Sequence, residues 1–254
     1  MKSRFPSLVV CAALAFLGAV VSAAPDVQQE RLDAASLLAL GRAPSAAERQ
    51  ACGAPASVAE LITRQREQLR GDAAAQRAVA VRAWRDAFGR EPGQPESAAA
   101  LGAGGTYTEL MQRHLQWLAS HPDDYRQVVD RAYRLTVGRE AFPMEQDYWR
   151  ERATLSFAML VGCVDSWARR NAPGLMATTG TPSVSINSRY LVTLRLSPAV
   201  AAETRLATGL APADAPALAL ACGRNLIAPG AGAITSIGGI HFVAAGGEGL
   251  ALAE

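Results

Sequence analysis

Arg131-Ala132-Tyr133-Arg134-Leu135-Thr136-Val137-Gly138-Arg139-Glu140 decides the fold, because its pattern occurs twice more, upstream. Arg82-Ala83-Trp84-Arg85 leads into Phe88-Gly89-Arg90, and Leu40-Gly41-Arg42 ends an earlier segment. The three Gly-Arg pairs are spaced 48 and 49 residues apart, which marks an internal repeat. Each copy has an alanine six residues before the glycine (Ala35, Ala83, Ala132) and a glutamate seven residues after it (Glu48, Glu96, Glu145). Glycine at such a position ends a helix in the left-handed conformation, which other residues adopt only at a steric cost. The arginine that follows can reach the exposed helix carbonyls or a neighbouring glutamate. Gly41, Arg42, Gly89, Arg90, Gly138 and Arg139 therefore read as a structural motif.

Helix starts can be read in the same way. Ser45/Glu48, Ser57/Glu60 and Thr106/Glu109 have capping-box spacing, in which the hydroxyl accepts a free amide and the glutamate returns a bond. Asp72 caps a helix running to Phe88, and Pro122 suits the first turn of one running to Val137. A last pair is expected over roughly 143–152 and 154–171. Leu110, Leu115, Trp117 and Leu118, then Val128, Val129, Tyr133, Leu135 and Val137, form stripes that predict core. The expected fold is mainly α: a helical repeat region of six or seven short helices at 24–172, then a small α+β, Gly-rich C-terminal region.

Composition supports that division. Residues 24–172 hold 19 arginines, 19 acidic residues and all four tryptophans, whereas 173–254 hold four arginines, four acidic residues and half of the 22 glycines. Residues 173–182 read as a linker and 183–254 as a β-rich region. Tyr190 to Leu196 alternates as a strand does, Ser197-Pro198 opens a short helix to about Thr208, and further strands are expected at 184–187, 225–228, 234–237 and 240–243. Gly-bounded strands with few charges suggest a meander whose edges pair with another chain, hence a protein partner or self-association through 183–254.

Met1 to Ala23 reads as a signal peptide: Lys2 and Arg4, an apolar run from Leu8 to Val21, and a small-residue cleavage site at Val21-Ser22-Ala23. Fourteen helical residues reach only about 21 Å, short of a ~30 Å hydrocarbon core. The expectation is an exported chain, periplasmic, surface-held or secreted, with no membrane span after cleavage. Loss of Lys2 and Arg4 leaves 23 basic against 23 acidic residues, so the mature chain lacks the basic excess that nucleic-acid binding requires. Cys52, Cys163 and Cys222 remain, enough for one intramolecular disulfide, with spacings unlike those of zinc ligands. No metal and no cofactor is expected.

The copy from Arg131 to Glu140, continuing to Tyr148-Trp149, resembles a family of exported bacterial helical modules with a Tyr-Arg-x-x-Leu-Gly-Arg pattern. That family is in turn similar to the helical domains of phycobilisome linkers. The resemblance covers 27–171 loosely and 126–170 best. It implies scaffolding or interaction and transfers no catalytic residue. Ser36 stands where the other copies have an aromatic, and Phe142-Pro143 replaces the family's acidic turn.

Catalytic motifs are absent: there is no G-x-S-x-G, S-x-x-K or H-E-x-x-H. Gly102-Ala103-Gly104-Gly105 precedes a helix but has neither lysine nor preceding strand, so it reads as a loop rather than a phosphate cradle. The best catalytic candidates are Ser236 and His241 in the Gly-rich tail, with no predictable acid to complete a triad. Glu145, Asp147 and Glu151 read as a solvated face, and Asp165 with Trp167 could line a crevice between the two parts. Two functions follow as expectations. One is an exported non-catalytic scaffold or interaction protein; the other is an exported hydrolase or small-ligand binder with a site between the helical and β regions.

Overall fold

The computed structural model describes residues 26–51, 53, 56–96, 104–151, 154–172, 174, 192–208, 233–237 and 240–244. The expected leader, the expected strands at 184–187 and 225–228, the linker apart from residue 174, Cys52 and Cys222 lie outside the described residues. Between residues 27 and 171 the described residues form helices α1 (Val27–Leu40), α2 (Ala46–Ala51), α3 (Val58–Gly71), α4 (Ala73–Phe88), α5 (Tyr107–Ser120), α6 (Pro122–Val137), α7 (Pro143–Arg150) and α8 (Phe157–Asn171). The chain is mainly helical, as the sequence predicts.

The caps account for the boundaries. Ser57 with Glu60 and Thr106 with Glu109 form reciprocal capping boxes, and Asp72 accepts the amides of Ala74 and Ala75. At α2 the Ser45 hydroxyl accepts from Glu48 N (3.2 Å) while Ser45 N donates back to Glu48 Oε2 (2.6 Å). Each cap is worth about 1 kcal/mol. Helix α8 starts later than the expected residue 154, because Ser156 rather than Thr154 supplies the capping oxygen, accepting from Met159 N at 3.2 Å.

Three repeat units emerge. Within each, a long helix pairs with the second one (α1 with α3, α4 with α5, α6 with α8), and successive units stack as α1 on α5 and α4 on α8. Ala35, Ala83 and Ala132 are fully buried, so at the recurring position a methyl group lets neighbouring helices approach. Gly41, Gly89 and Gly138 end α1, α4 and α6 with φ of 66°, 70° and 74°. At the first two positions the stacking also requires glycine. A Cβ on Gly41 would lie 2.8 Å from Cγ and Cε2 of Tyr107, the first residue of α5. One on Gly89 would lie 2.6 and 2.7 Å from Cε2 and Cγ of Phe157, the first residue of α8. The second and third units therefore each seat an aromatic ring on the glycine of the unit before it.

The C-terminal elements are β1 (Val192–Leu196), α9 (Pro198–Thr208), β2 (Ala233–Ile237) and β3 (Ile240–Ala244). They do not form a simple meander: β3 lies in the middle, parallel to β1 and antiparallel to β2. A parallel pair needs a crossover, and α9 lies on that path. Helix α9 packs on α1 and α3, and Leu196, Val200 and Ala201 are buried in the same core as the helical region. Glu203 of α9 takes a fork from Arg31 (Nε at 3.0 Å, Nη2 at 2.5 Å) and accepts Val58 N at 3.2 Å, at the start of α3. The arginine bond is the main reason the Glu203 carboxyl is held below its usual range. Packing thus continues past the expected boundary near residue 172. Among the described residues, no helix is long and apolar enough to cross a membrane.

Candidate functional site

The motif residues assemble three copies of one clamp. Arg42 grips Glu48 at 2.8 and 2.7 Å, Arg90 grips Glu96 at 2.7 and 2.5 Å, and Arg139 grips Glu145 at 2.7 and 2.8 Å. The same glutamates accept the amides of Ser45, Gly93 and Phe142 at 2.6, 2.6 and 2.7 Å. Each arginine also donates to the next residue's carbonyl, at Ala43, Glu91 and Glu140. A forked guanidinium–carboxylate pair fixes orientation as well as distance. It ties the Gly-Arg turn to the segment that follows. The arginine bond, the largest influence, holds Glu48 and Glu96 down to about 2. Chemically the clamps are closed, with both terminal guanidinium nitrogens of each arginine and both oxygens of each glutamate engaged.

Of the other expected candidates, one pair is brought together and the rest are not. Ser236 and His241 are Cα partners across the β2–β3 pair, and Thr193 is the partner of His241 on β1. Asp165 is buried while Trp167, two positions along α8, is 38% exposed, so they do not share one crevice wall. Glu145 belongs to a clamp and Asp147 pairs with Arg150 at 2.8 Å. Among the described residues, no three His, Cys, Asp or Glu side chains converge as a metal site requires. Cys163 is buried and disulfide-bonded, its partner lying outside the described residues. Native protein treated with an alkylating reagent without reductant should leave Cys163 unlabelled; mass analysis showing Cys52, Cys163 and Cys222 all labelled rapidly would contradict this.

A concave site does exist, inside the helical region. Helices α4, α5 and α6 enclose a groove of about 460 Å³ lined by Trp84, Phe88, His114 and Trp117, with Arg90, Glu96, Arg113, Asp124, Gln127 and Arg131. Trp84 stacks on Phe88 with centroids 4.3 Å apart, and both meet the His114 ring edge-on at 5.2 Å. The Arg90 guanidinium lies 5.2 Å over the Trp84 ring. Trp84 Nε1 and His114 Nε2 are buried and hydrogen-bond to none of the described residues, which leaves ring faces as weak acceptors for any N–H among them. Trp117, expected in the core stripe, is instead 49% exposed; the buried stripe of α5 is Tyr107, Leu110, Met111 and Leu118. Its ring stacks on His121 at 3.5 Å and its indole N–H donates to Asp124 at 3.1 Å.

Charge in the groove is uneven. Glu96 is held by Arg90 and Asp124 by Trp117, whereas Arg131 donates to the Phe88 carbonyl (3.0 Å) and to Gln127 (3.2 Å). Burial first, then repulsion from Arg90 and Arg134, lowers the Arg131 pKa. Burial and the nearby Arg113 hold His114 down to about 4, so at neutral pH it is an uncharged wall.

That depression has a testable consequence. The unfolded imidazole titrates near 6.5, so stability should be full above that pH and fall as pH drops from 6.5 toward 4, by about 2–3 kcal/mol in all. His114→Phe should flatten this segment of the stability–pH curve in denaturant titrations. An unchanged slope would show that the imidazole does not titrate as its burial requires.

Sequence reasoning found the tryptophans and arginines of the groove but not their meeting. Trp84, His114 and Arg131 come from three helices, and the visible hint, an Arg-Ala-aromatic-Arg repeat, concerned only two of them. No protein-family model, no curated protein and no solved structure matches this chain.

Proposed function

We propose that the chain is an exported, non-catalytic scaffold or interaction protein that holds a protein partner. The observation that carries this reading is the use made of the recurring residues. Gly41, Gly89 and Gly138, their arginines and their glutamates all serve the turns, and Gly41 and Gly89 serve the stacking as well. The part of the chain that repeats is thus a frame, as the likeness to exported helical modules also implies. Solenoid frames of this kind present extended surfaces for partners. Two surfaces suit one here. The third unit exposes Phe142, Met144 and Tyr148, the last two one helical turn apart on α7. Strands β1 and β2 form the edges of the described sheet.

The test is affinity capture by the mature chain from its own envelope fraction, run beside a Met144→Glu/Tyr148→Glu variant and beside light scattering of the wild type. A protein retained by the wild type and lost by the equally helical variant supports the reading. A monodisperse monomer that retains nothing above control would end it.

A further inference from the structure

Independently of any protein partner, we propose that the groove between α4, α5 and α6 binds a small planar aromatic carboxylate. Its volume of about 460 Å³ is within the range of small-molecule sites, and four aromatic side chains line it. Flat apolar walls select a flat apolar body. The polar lining selects the charge. Both acidic side chains facing the groove are already engaged, Glu96 by Arg90 and by Gly93 N, Asp124 by the Trp117 indole. Arg131 has only neutral acceptors, the Phe88 carbonyl and the Gln127 amide, and no carboxylate within ion-pair distance among the described residues. A planar guanidinium held this way still lacks the forked oxygen pair it is shaped to take. With His114 uncharged, the three arginines of the lining (Arg90, Arg113, Arg131) exceed its two carboxylates (Glu96, Asp124) by a single charge, which favours a monoanion over a polyanion such as a pyrophosphate. A single carboxylate on a ring system meets all three conditions: flat body, one negative charge, two oxygens. A cation is disfavoured by Arg90, Arg113 and Arg131, and an uncharged ring would offer no forked oxygen pair to Arg131, on which Asp124 and Asp130 act only from beyond ion-pair distance.

The full mature chain should be titrated with 2-naphthoate and with its uncharged analogue 2-naphthalenemethanol, followed by calorimetry and by the His114 ring resonances. Expected is saturable naphthoate binding that shifts those resonances, with the alcohol at least about tenfold weaker. Arg131→Gln should remove that preference by weakening naphthoate alone, whereas Trp117→Ala should weaken both probes. Arg131 also caps the Phe88 carbonyl, so Arg131→Lys serves as the second variant. It keeps the charge but not the fork, and should retain only part of the preference for naphthoate. Asp124→Asn, which removes a negative charge from the rim, should tighten naphthoate about two- to fivefold at low salt. No saturation at millimolar naphthoate, equal affinity for acid and alcohol, or binding that leaves the His114 resonances unmoved would each overturn the proposal.

Discussion

Gly89→Val should lower stability by roughly 3–4 kcal/mol and the thermal midpoint by about 10 °C. Two costs combine at this residue. Its φ of 70° is left-handed, where a side chain costs about 1–2 kcal/mol. Its Cβ would also overlap the Phe157 ring, 2.6 and 2.7 Å from two of its carbons, and that ring is buried at the start of α8. Overpacking of this kind adds roughly 1–3 kcal/mol, since the ring can escape only if two repeat units separate. Gly138→Val provides the comparison. Gly138 has the same left-handed backbone but is exposed, so only the first cost should be felt, about 1–2 kcal/mol. Truncating the ring should relieve the clash, making the Gly89→Val/Phe157→Ala pair less damaging than the sum of the singles. Thermal and denaturant melts of the four variants decide it. Equal losses at Gly89 and Gly138 would remove the ring-on-glycine contact from the account.

A chain of residues 24–172 should be destabilised by roughly 4–6 kcal/mol relative to one of residues 24–254, on the contacts of α9 and the end of β1 alone. Leu196 of β1 and Val200 of α9 are completely buried, and Ala201 nearly so, in the core shared with the helical region, where α9 packs on α1 and α3. Two fully buried aliphatic side chains contribute about 1.5–3 kcal/mol each. Their removal also returns apolar surface of α1 and α3 to water. Glu203 adds its fork to Arg31 and its bond to Val58 N, and Ser197 N donates to Glu30 at 2.8 Å. These polar ties are partly exposed, so their share is modest. Circular dichroism and urea melts of the two chains give the difference. A truncated chain as stable as the full one would make 24–172 an independent folding unit.

Much of the helical layout was legible because it rests on local chemistry. A capping serine, the amide three residues on and the returning glutamate are neighbours in sequence, so Ser45, Ser57 and Thr106 mark helix starts in the bare chain. Gly41, Gly89 and Gly138 mark ends for the same reason, and their period of 48 and 49 residues gives the number of units. Even the clamp could be anticipated, since its arginine and glutamate lie six residues apart. Trp117 shows where local reasoning stops. It lies in the apolar stretch of α5, yet it turns outward, because helix rotation is set by the neighbours on α4 and α6 and not by hydrophobicity alone.

By itself the sequence determined the secondary structure of the helical region, its three-fold repetition and the role of each Gly-Arg pair, because these depend on contacts within about seven residues. The tertiary structure alone decided that Tyr107 and Phe157 rest on the glycines of preceding units, that α9 joins the core through Val200 and Glu203, and that Trp84, His114 and Arg131 meet around one groove. Those contacts join residues tens to well over a hundred positions apart. Their selection depends on which surfaces exclude water together, a property of the packed chain that no local pattern encodes.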